Sequence, residues 1–400
     1  MADYKIGSTQ LQEDIVIEKP PRKPLSRRAK IAISVSLVVF ITVVLPISAM
    51  ATYILIPLRG EKTGYNWTPE SDFNALRGVA GHELRIPEDR DLRVLMLADL
   101  HISLFGSPRT FRMMDYLVAL TEPDLIVLMG DNVGFFWNNL SMNQLVRHMD
   151  GYGIPWAAII GNHDERGKAD RNYIAGQLGN TENGLFLFGP NSLYRVSGNY
   201  FINLVNRYNN IAHTLYLMGC EIQYGVSQNY RAIPQGQIDW FRWVKAGNPD
   251  VESTIMKHIP LREFHNAWYY GEHVFGYKRD SMHRPTRSRV HAPECTADFF
   301  NAIQETGRVR NFFSGHDHSN NYSSIYNGLQ MTYVLYSSWS MISEVYWNMR
   351  PLPRGGTLLT VGHDGSTRQR HVVATAIRQT PSLPVTTREE LAIWLNAGLQ

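Results

Sequence analysis

Cysteine is almost missing from this chain of 400 residues, which has only Cys220 and Cys295. Two thiols exclude a disulfide-dense scaffold and a cysteine-built metal cluster. They leave room for one bridge, Cys220 to Cys295, in an oxidising compartment. Charge excess is missing as well. Residues 1–30 hold seven Lys/Arg against four Asp/Glu, and the remaining 370 balance at 32 of each. A neutral body offers no general nucleic-acid surface. No internal repeat is visible. Charge is absent altogether from Ile31 to Leu58, a run longer than the roughly 20 apolar residues that cross a bilayer.

What surrounds that run sets its expected direction. Arg22, Lys23, Arg27, Arg28 and Lys30 precede it, and only Arg59 and Lys62 follow closely. The positive-inside rule then predicts a single-pass, type II signal-anchor, with the body lumenal or extracellular. Ala49-Met50-Ala51 resembles a cleavage site, so a cleaved signal peptide is the alternative. The polar leader and the length of the run favour the uncleaved anchor. Residues 1–30, rich in Pro and mixed charge, read as a disordered cytoplasmic tail. Three sequons, Asn66-Trp67-Thr68, Asn139-Leu140-Ser141 and Asn321-Tyr322-Ser323, suit a lumenal glycoprotein. The third lies three residues past His318 and is expected to stay unmodified if His318 binds metal.

Five apolar strands end in polar blocks. Arg93 to Ala98 runs into Asp99-Leu100-His101, and Leu125 to Met129 into Gly130-Asp131-Asn132. Trp156 to Ile160 runs into Gly161-Asn162-His163-Asp164-Glu165. Ser253 to Met256 precedes Lys257-His258-Ile259-Pro260, and Val309 to Phe313 precedes Gly315-His316-Asp317-His318. Asp, Asn and His make a poor core and a good set of ligands. In open α/β sheets, ligands bind at the carboxyl ends of strands.

These five blocks, in this order, resemble those of the calcineurin-like metallophosphoesterases. Asp131-Asn132-Val133, His258-Ile259-Pro260-Leu261 and Gly315 to Asn320 look closest to the single-domain purple-acid-phosphatase-like branch. The resemblance implies an α/β fold: a four-layer α-β-β-α sandwich, here with one N-terminal transmembrane helix. It implies two metal ions, divalent or mixed-valence, of Fe, Mn or Zn. Asp99, His101 and His318 would hold the first, Asn162, His258 and His316 the second, and Asp131 would bridge. His163 would contact the substrate phosphate and protonate the leaving oxygen, with Asp164 orienting it. Asn132 would help hold phosphate. A hydroxide between the metals would attack phosphorus in line.

One departure bears on the metals. The coloured purple acid phosphatases carry a Tyr where this chain has Gly134, and no Tyr follows Asp131 until Tyr152. His101 is expected to take that ligand place, which removes the source of the purple colour.

The expected activity is that of a membrane-anchored phosphomonoesterase. The alternatives are a phosphodiesterase acting on nucleotides or phospholipid head groups, and an inactive cell-surface receptor.

The rest of the chain is read more coarsely. Residues 59–91 read as a linker, 92–376 as the metallophosphoesterase domain and 377–400 as an extension with a short helix. Helices are expected at Thr110 to Leu120, Ser141 to Met149, Ile238 to Val244 and Phe299 to Gln304, and from residue 165 onward. An antiparallel second sheet is expected from Leu185 to Phe188, Tyr194 to Val196, Tyr200 to Leu204 and Thr214 to Met218. A hairpin is expected around His363-Asp364-Gly365. Residues 262–294, aromatic and basic, read as a wall of the substrate pocket or a surface insertion. His265, His273, His283 and His291 match no block and read as structural or surface residues.

Overall fold

A computed structural model describes residues 26–48, 58–104, 107–134, 137–220, 232–276, 290–293, 296–339 and 353–374. Most of the expected tail, the whole C-terminal extension, Cys295 and residues 277–289 lie outside the described residues. Cys220 is a buried thiol, and the bridge that the two cysteines leave room for falls outside the described residues together with Cys295.

The apolar N-terminal segment forms a helix from Arg27 to Ser48 with no buried residue. Ser26 caps it by accepting from the Ala29 N–H at 3.2 Å. A π turn, Phe40–Val44, lies just before Pro46, which cannot supply the usual i→i−4 bond. The span predicted to end at Leu58 must be shortened. Leu58 belongs to the folded body, where it bridges Ala169 and its N–H donates to the Lys168 carbonyl at 2.7 Å.

The body is a mixed α/β sandwich of two sheets. Long Leu/Ile/Val runs make strands buried on both faces, the pattern of parallel strands covered on each side. The five-stranded sheet contains β2 (Leu92–Leu97), β3 (Leu125–Leu128), β4 (Trp156–Ala158), β12 (Gly355–Val361) and β13 (Thr367–Val373). Its order is β13-β12-β2-β3-β4, with β2, β3 and β4 parallel. The eight-stranded sheet adds β1 (Gly81–Arg85), β5 (Tyr200–Val205), β6 (Ile211–Met218), β7 (Glu252–Lys257), β8 (Glu272–Phe275), β9 (Val309–Ser314), β10 (Ser323–Tyr326) and β11 (Leu329–Tyr333). Its order is β1-β5-β6-β7-β9-β11-β10-β8.

One core lies between the sheets and under the helices Pro108–Thr121 and Asn138–Asp150, which bury Met113, Leu117, Met142 and Leu145. A second, aromatic core lies under Gln235–Gly247 and Ala297–Thr306, with Trp240, Phe241, Phe299 and Phe312 at its centre. These are the four expected layers.

Several local expectations are corrected. Residues 59–91 are not a plain linker: Phe73–Ala80 is a helix, and β1 pairs in parallel with β5. Tyr194 to Val196 is part of a 3-10 turn, Asn191–Val196, entered from Pro190. Leu185 to Phe188 forms no strand, although the Leu185 N–H donates to the Trp156 carbonyl of β4 at 2.7 Å. The helix after the third block starts only at Arg171, because Asp170 caps it by accepting from the Tyr173 N–H. The start of the 262–294 stretch is ordered as helix Glu263–Tyr270 and edge strand β8.

Strand register places the site. Leu97 pairs with Leu128 and Leu128 with Ala158, so β2, β3 and β4 end level. Met256 pairs with Phe313 in the other sheet, so β7 and β9 also end together. The five polar blocks therefore leave the sandwich at one edge.

Candidate metal centre

Four of these block residues, Asp99, His101, Asp131 and His316, have positive φ, between 44° and 72°. Such backbone costs on the order of 1–3 kcal/mol per non-glycine residue and persists only where its surroundings hold it. Here they do. The Asp99 N–H donates to the Gly130 carbonyl at 3.1 Å and the His101 N–H to the Asp131 carbonyl at 2.9 Å. The His316 N–H donates to Asp99 Oδ2 at 2.9 Å, and the His163 N–H to Asp131 Oδ1 at 2.7 Å. Two glycines make the approach possible. A Cβ on Gly161 would lie 2.2 Å from the Asp131 nitrogen, and one on Gly130 2.6 Å from the His258 ring.

The side chains converge. His101 Nε2 lies 3.1 Å from His318 Nε2, and His318 Nε2 lies 3.3 Å from Asp99 Oδ1. His258 Nε2 lies 3.3 Å from Asp131 Oδ2 and 3.2 Å from Asn162 Oδ1. The sets Asp99/His101/His318, Asp131/His258/His316 and His101/Asp131/His163 each gather ligand atoms within 4.8 Å of one another. Asp131 belongs to two of these sets, and both Asp99 and Asp131 are 1 % exposed.

This donor set fits metal ions. His258 donates from Nδ1 to the Met129 carbonyl at 2.9 Å, so its Nε2 lone pair faces carboxylate and amide oxygens. Lone pairs that face each other in a buried site need a cation between them. Burial would lower the His258 pKa, but Asp131 and Asp99 outweigh it and raise it to about 10, so Nε2 faces these oxygens either with a proton or, once that proton is displaced, with a lone pair on a bound cation. Burial would raise Asp131, yet His258 and His163 hold it well below the usual carboxylate range. Burial pushes His101 down to about 3 and His316 to about 4, which keeps both as neutral donors. Imidazole and carboxylate together suit zinc, iron or manganese.

Two expected roles are corrected. Asn132 is 0 % exposed. Its amide nitrogen donates to the Ile159 carbonyl at 2.8 Å and to Asp164 Oδ2 at 3.0 Å, so no amide hydrogen is left for phosphate. Asp164 does not hold the His163 ring. It is fully buried and accepts from the Val133 N–H, the Gly161 N–H and Asn132, tying the second block to the third. Burial first, and then the Asp131 charge, push its carboxyl up to about 7. The His163 ring instead meets the His101 ring edge-on at 5.0 Å, and its side chain is 22 % exposed.

Two neighbours escaped the sequence reading. Tyr336 stacks on the His318 ring at 4.4 Å and 17°, and an isolated bridge to Ala98 holds it there. His291, expected to be structural or surface, bonds Asp317 in the turn between His316 and His318, at 2.5 Å from Nδ1 to Oδ1. Nothing in the spacing of either residue signals this, because each arrives from a distant segment.

The calcineurin-like phosphoesterase family profile matches residues 92–320. Among relatives, "Probable inactive purple acid phosphatase 14" of Arabidopsis thaliana is 25% identical over 67% of this chain and 76% of its own length. "Probable inactive purple acid phosphatase 29" of the same plant is 23% identical over 67% and 77%. Among solved structures, a dimetal phosphatase from Danio rerio is similar with a TM-score of 0.47 and 10% identity, covering 68% of this chain and 93% of that one. The profile match spans more than half of the sequence and all five blocks, and the chain belongs to the calcineurin-like phosphoesterases.

Proposed function

We propose that this protein is a membrane-anchored, dinuclear metal-dependent phosphomonoesterase. The position of Asp131 carries the reading. Its carboxylate lies between two histidine groups, 3.3 Å from His258 Nε2 and 3.9 Å from His101 Nε2, as a shared ligand must. Asp99, His101 and His318 would hold one ion, and Asn162, His258 and His316 the other. When bound, the ions supply charge neutralisation and a nucleophile at neutral pH. The chain's own residues do the rest. Asp131 spaces the two halves of the site and fixes the His163 backbone. His163, partly exposed and next to His101, donates its ring proton towards the leaving oxygen of a bound ester. A Cβ on Gly134 would lie 3.7 Å from His101 Nδ1, which supports His101 standing where the coloured relatives use tyrosine.

The apolar helix Arg27–Ser48, with basic residues before it and in its first turn, is read as the anchor, leaving the body lumenal or extracellular. The same metal site could serve a phosphodiester. The relatives' names carry the word inactive, but every proposed metal-ligand position here keeps a ligand side chain.

The test uses the purified body, titrated with Zn²⁺ or Mn²⁺ and assayed on p-nitrophenyl phosphate and its bis ester. The wild type is expected to bind two ions and hydrolyse the monoester faster. Asp131→Asn should lose ions and turnover together. A wild type that binds ions and cleaves neither ester would support the inactive reading instead.

A further inference from the structure

Asp317 separates the two histidines of the fifth block, and its carboxylate is unusually well held. It is 7 % exposed. Tyr333 donates its hydroxyl to Oδ2 at 2.6 Å. The His291 backbone N–H donates to the same oxygen at 3.2 Å, and His291 Nδ1 meets Oδ1 at 2.5 Å. Two of these three bonds come from one residue. His291 lies 26 positions upstream in sequence, so the clasp fastens the end of the 262–294 stretch onto the metal-ligand turn. The other end of that stretch is fastened separately, through Thr296, which donates to Glu263 and accepts from the Arg262 N–H.

The turn needs such support. His316 has φ 72°, which costs energy that its neighbours must offset. On one side the Asp99 carboxylate accepts from the His316 N–H at 2.9 Å. On the other, Asp317 donates its N–H to the Gly315 carbonyl and accepts from the Asn320 N–H, both at 2.8 Å. The His316 ring also has two edge-on imidazole neighbours, His258 at 5.2 Å and His291 at 6.3 Å between centroids. His291 therefore touches the turn through Asp317 and borders the ring of the ligand itself.

We propose that His291 is a positioning residue of the metal centre, clamping Asp317 so that the His316-to-His318 turn presents both rings to the ions. The inference rests on the reading of His316 and His318 as metal ligands. Groups that orient metal ligands typically govern 10–100-fold in metal affinity.

The contact uses Nδ1, so the two amide substitutions separate. Asn places a donor near the position of Nδ1, whereas Gln places one near Nε2. Zn²⁺ affinity of the metal-stripped full chain, purified in detergent, is measured by competition with a chromophoric chelator. Thermal melting of the stripped proteins checks that each variant is folded.

In His291→Ala, both ions should bind more weakly, by roughly 10–100-fold. His291→Asn should stay close to wild type and His291→Gln should follow the alanine variant. Turnover should fall with ion loss and recover at high Zn²⁺, with KM little changed. Wild-type affinity in a folded His291→Ala protein would overturn the clamp. Rescue by Gln and not by Asn would overturn it too, assigning the residue to substrate through Nε2. If the alanine variant does not fold, the Asn and Gln pair decides. A wild type that binds no Zn²⁺ would instead remove the metal reading on which the inference stands.

Discussion

His163 and Asp164 are neighbours with opposite tasks. The Asp164 carboxylate faces inward and satisfies two backbone N–H groups and the Asn132 amide. The His163 ring faces the opening, 3.8 Å from Asp131 Oδ2 and edge-on to the His101 ring, while its backbone N–H donates to Asp131 Oδ1. Removing that ring leaves every proposed metal ligand in place. His163→Ala should therefore retain both ions while turnover falls by roughly 10²–10⁴-fold, the usual worth of a positioned acid. The loss should be smaller for nitrophenyl esters than for alkyl phosphates, since a good leaving group needs little protonation. Equal losses on both substrates, with metal content unchanged, would mean that His163 binds phosphate and does not protonate.

Between elements, polar ties cross the sandwich away from the metal centre. His213 of β6 is 0 % exposed. Its Nδ1 lies 3.0 Å from the Gly365 carbonyl in the β12–β13 turn, and its Nε2 lies 2.9 Å from Thr254 Oγ1 of β7. Nδ1 must donate to a carbonyl, and in the neutral ring Nε2 accepts from the threonine hydroxyl. Burial pushes its pKa down to about 4, with the Gly365 bond opposing. The unfolded chain takes up this proton near pH 6.5 and the folded chain only near pH 4. The fold therefore loses stability as pH falls through that window, by about 3 kcal/mol from this residue. Urea unfolding of the metal-stripped body at pH 7 and pH 4.5 measures it. His213→Gln should be destabilised at pH 7 and should lose less than wild type on acidification. An equal loss in both proteins would put the acid sensitivity elsewhere.

For the whole molecule, the segment from Leu58 to Trp67 is built into the body. The Gly60 N–H donates to the Asp170 cap at 3.1 Å, and Trp240 donates its indole N–H to the Tyr65 hydroxyl at 2.9 Å. Trp67 meets Trp243 edge-on at 5.9 Å between centroids. A chain starting at residue 56 should fold, whereas one starting at residue 71 loses these ties and should melt several degrees lower. Equal melting temperatures would make the segment a mere tether. The sequons read out the proposed topology. Asn66 is exposed, but Asn139 and Asn321 are only 5 % and 7 % exposed. In membrane-targeted expression, Asn66→Gln should remove one glycan, and Asn139→Gln and Asn321→Gln none. A wild-type chain without any glycan would count against a lumenal body.

The sequence by itself determined the five blocks, the apolar N-terminal run and the alternation that made β2, β3 and β4 parallel, because each is a local pattern of side-chain type. It also marked the residues that meet at the centre, since polar blocks behind buried strands have few other uses. Only the tertiary structure decided which way each block residue faces. Asn132 and Asp164 sit inside the ligand motifs yet point into the core: Asp164 accepts from the Val133 and Gly161 N–H groups that the turns leave over, and Asn132 donates to Asp164 and to the Ile159 carbonyl. His291 and Tyr336 lie outside every motif, and strand register and the course of the 262–294 stretch bring them to the ligand turn. Such contacts span large distances along the chain, and local composition carries no trace of them.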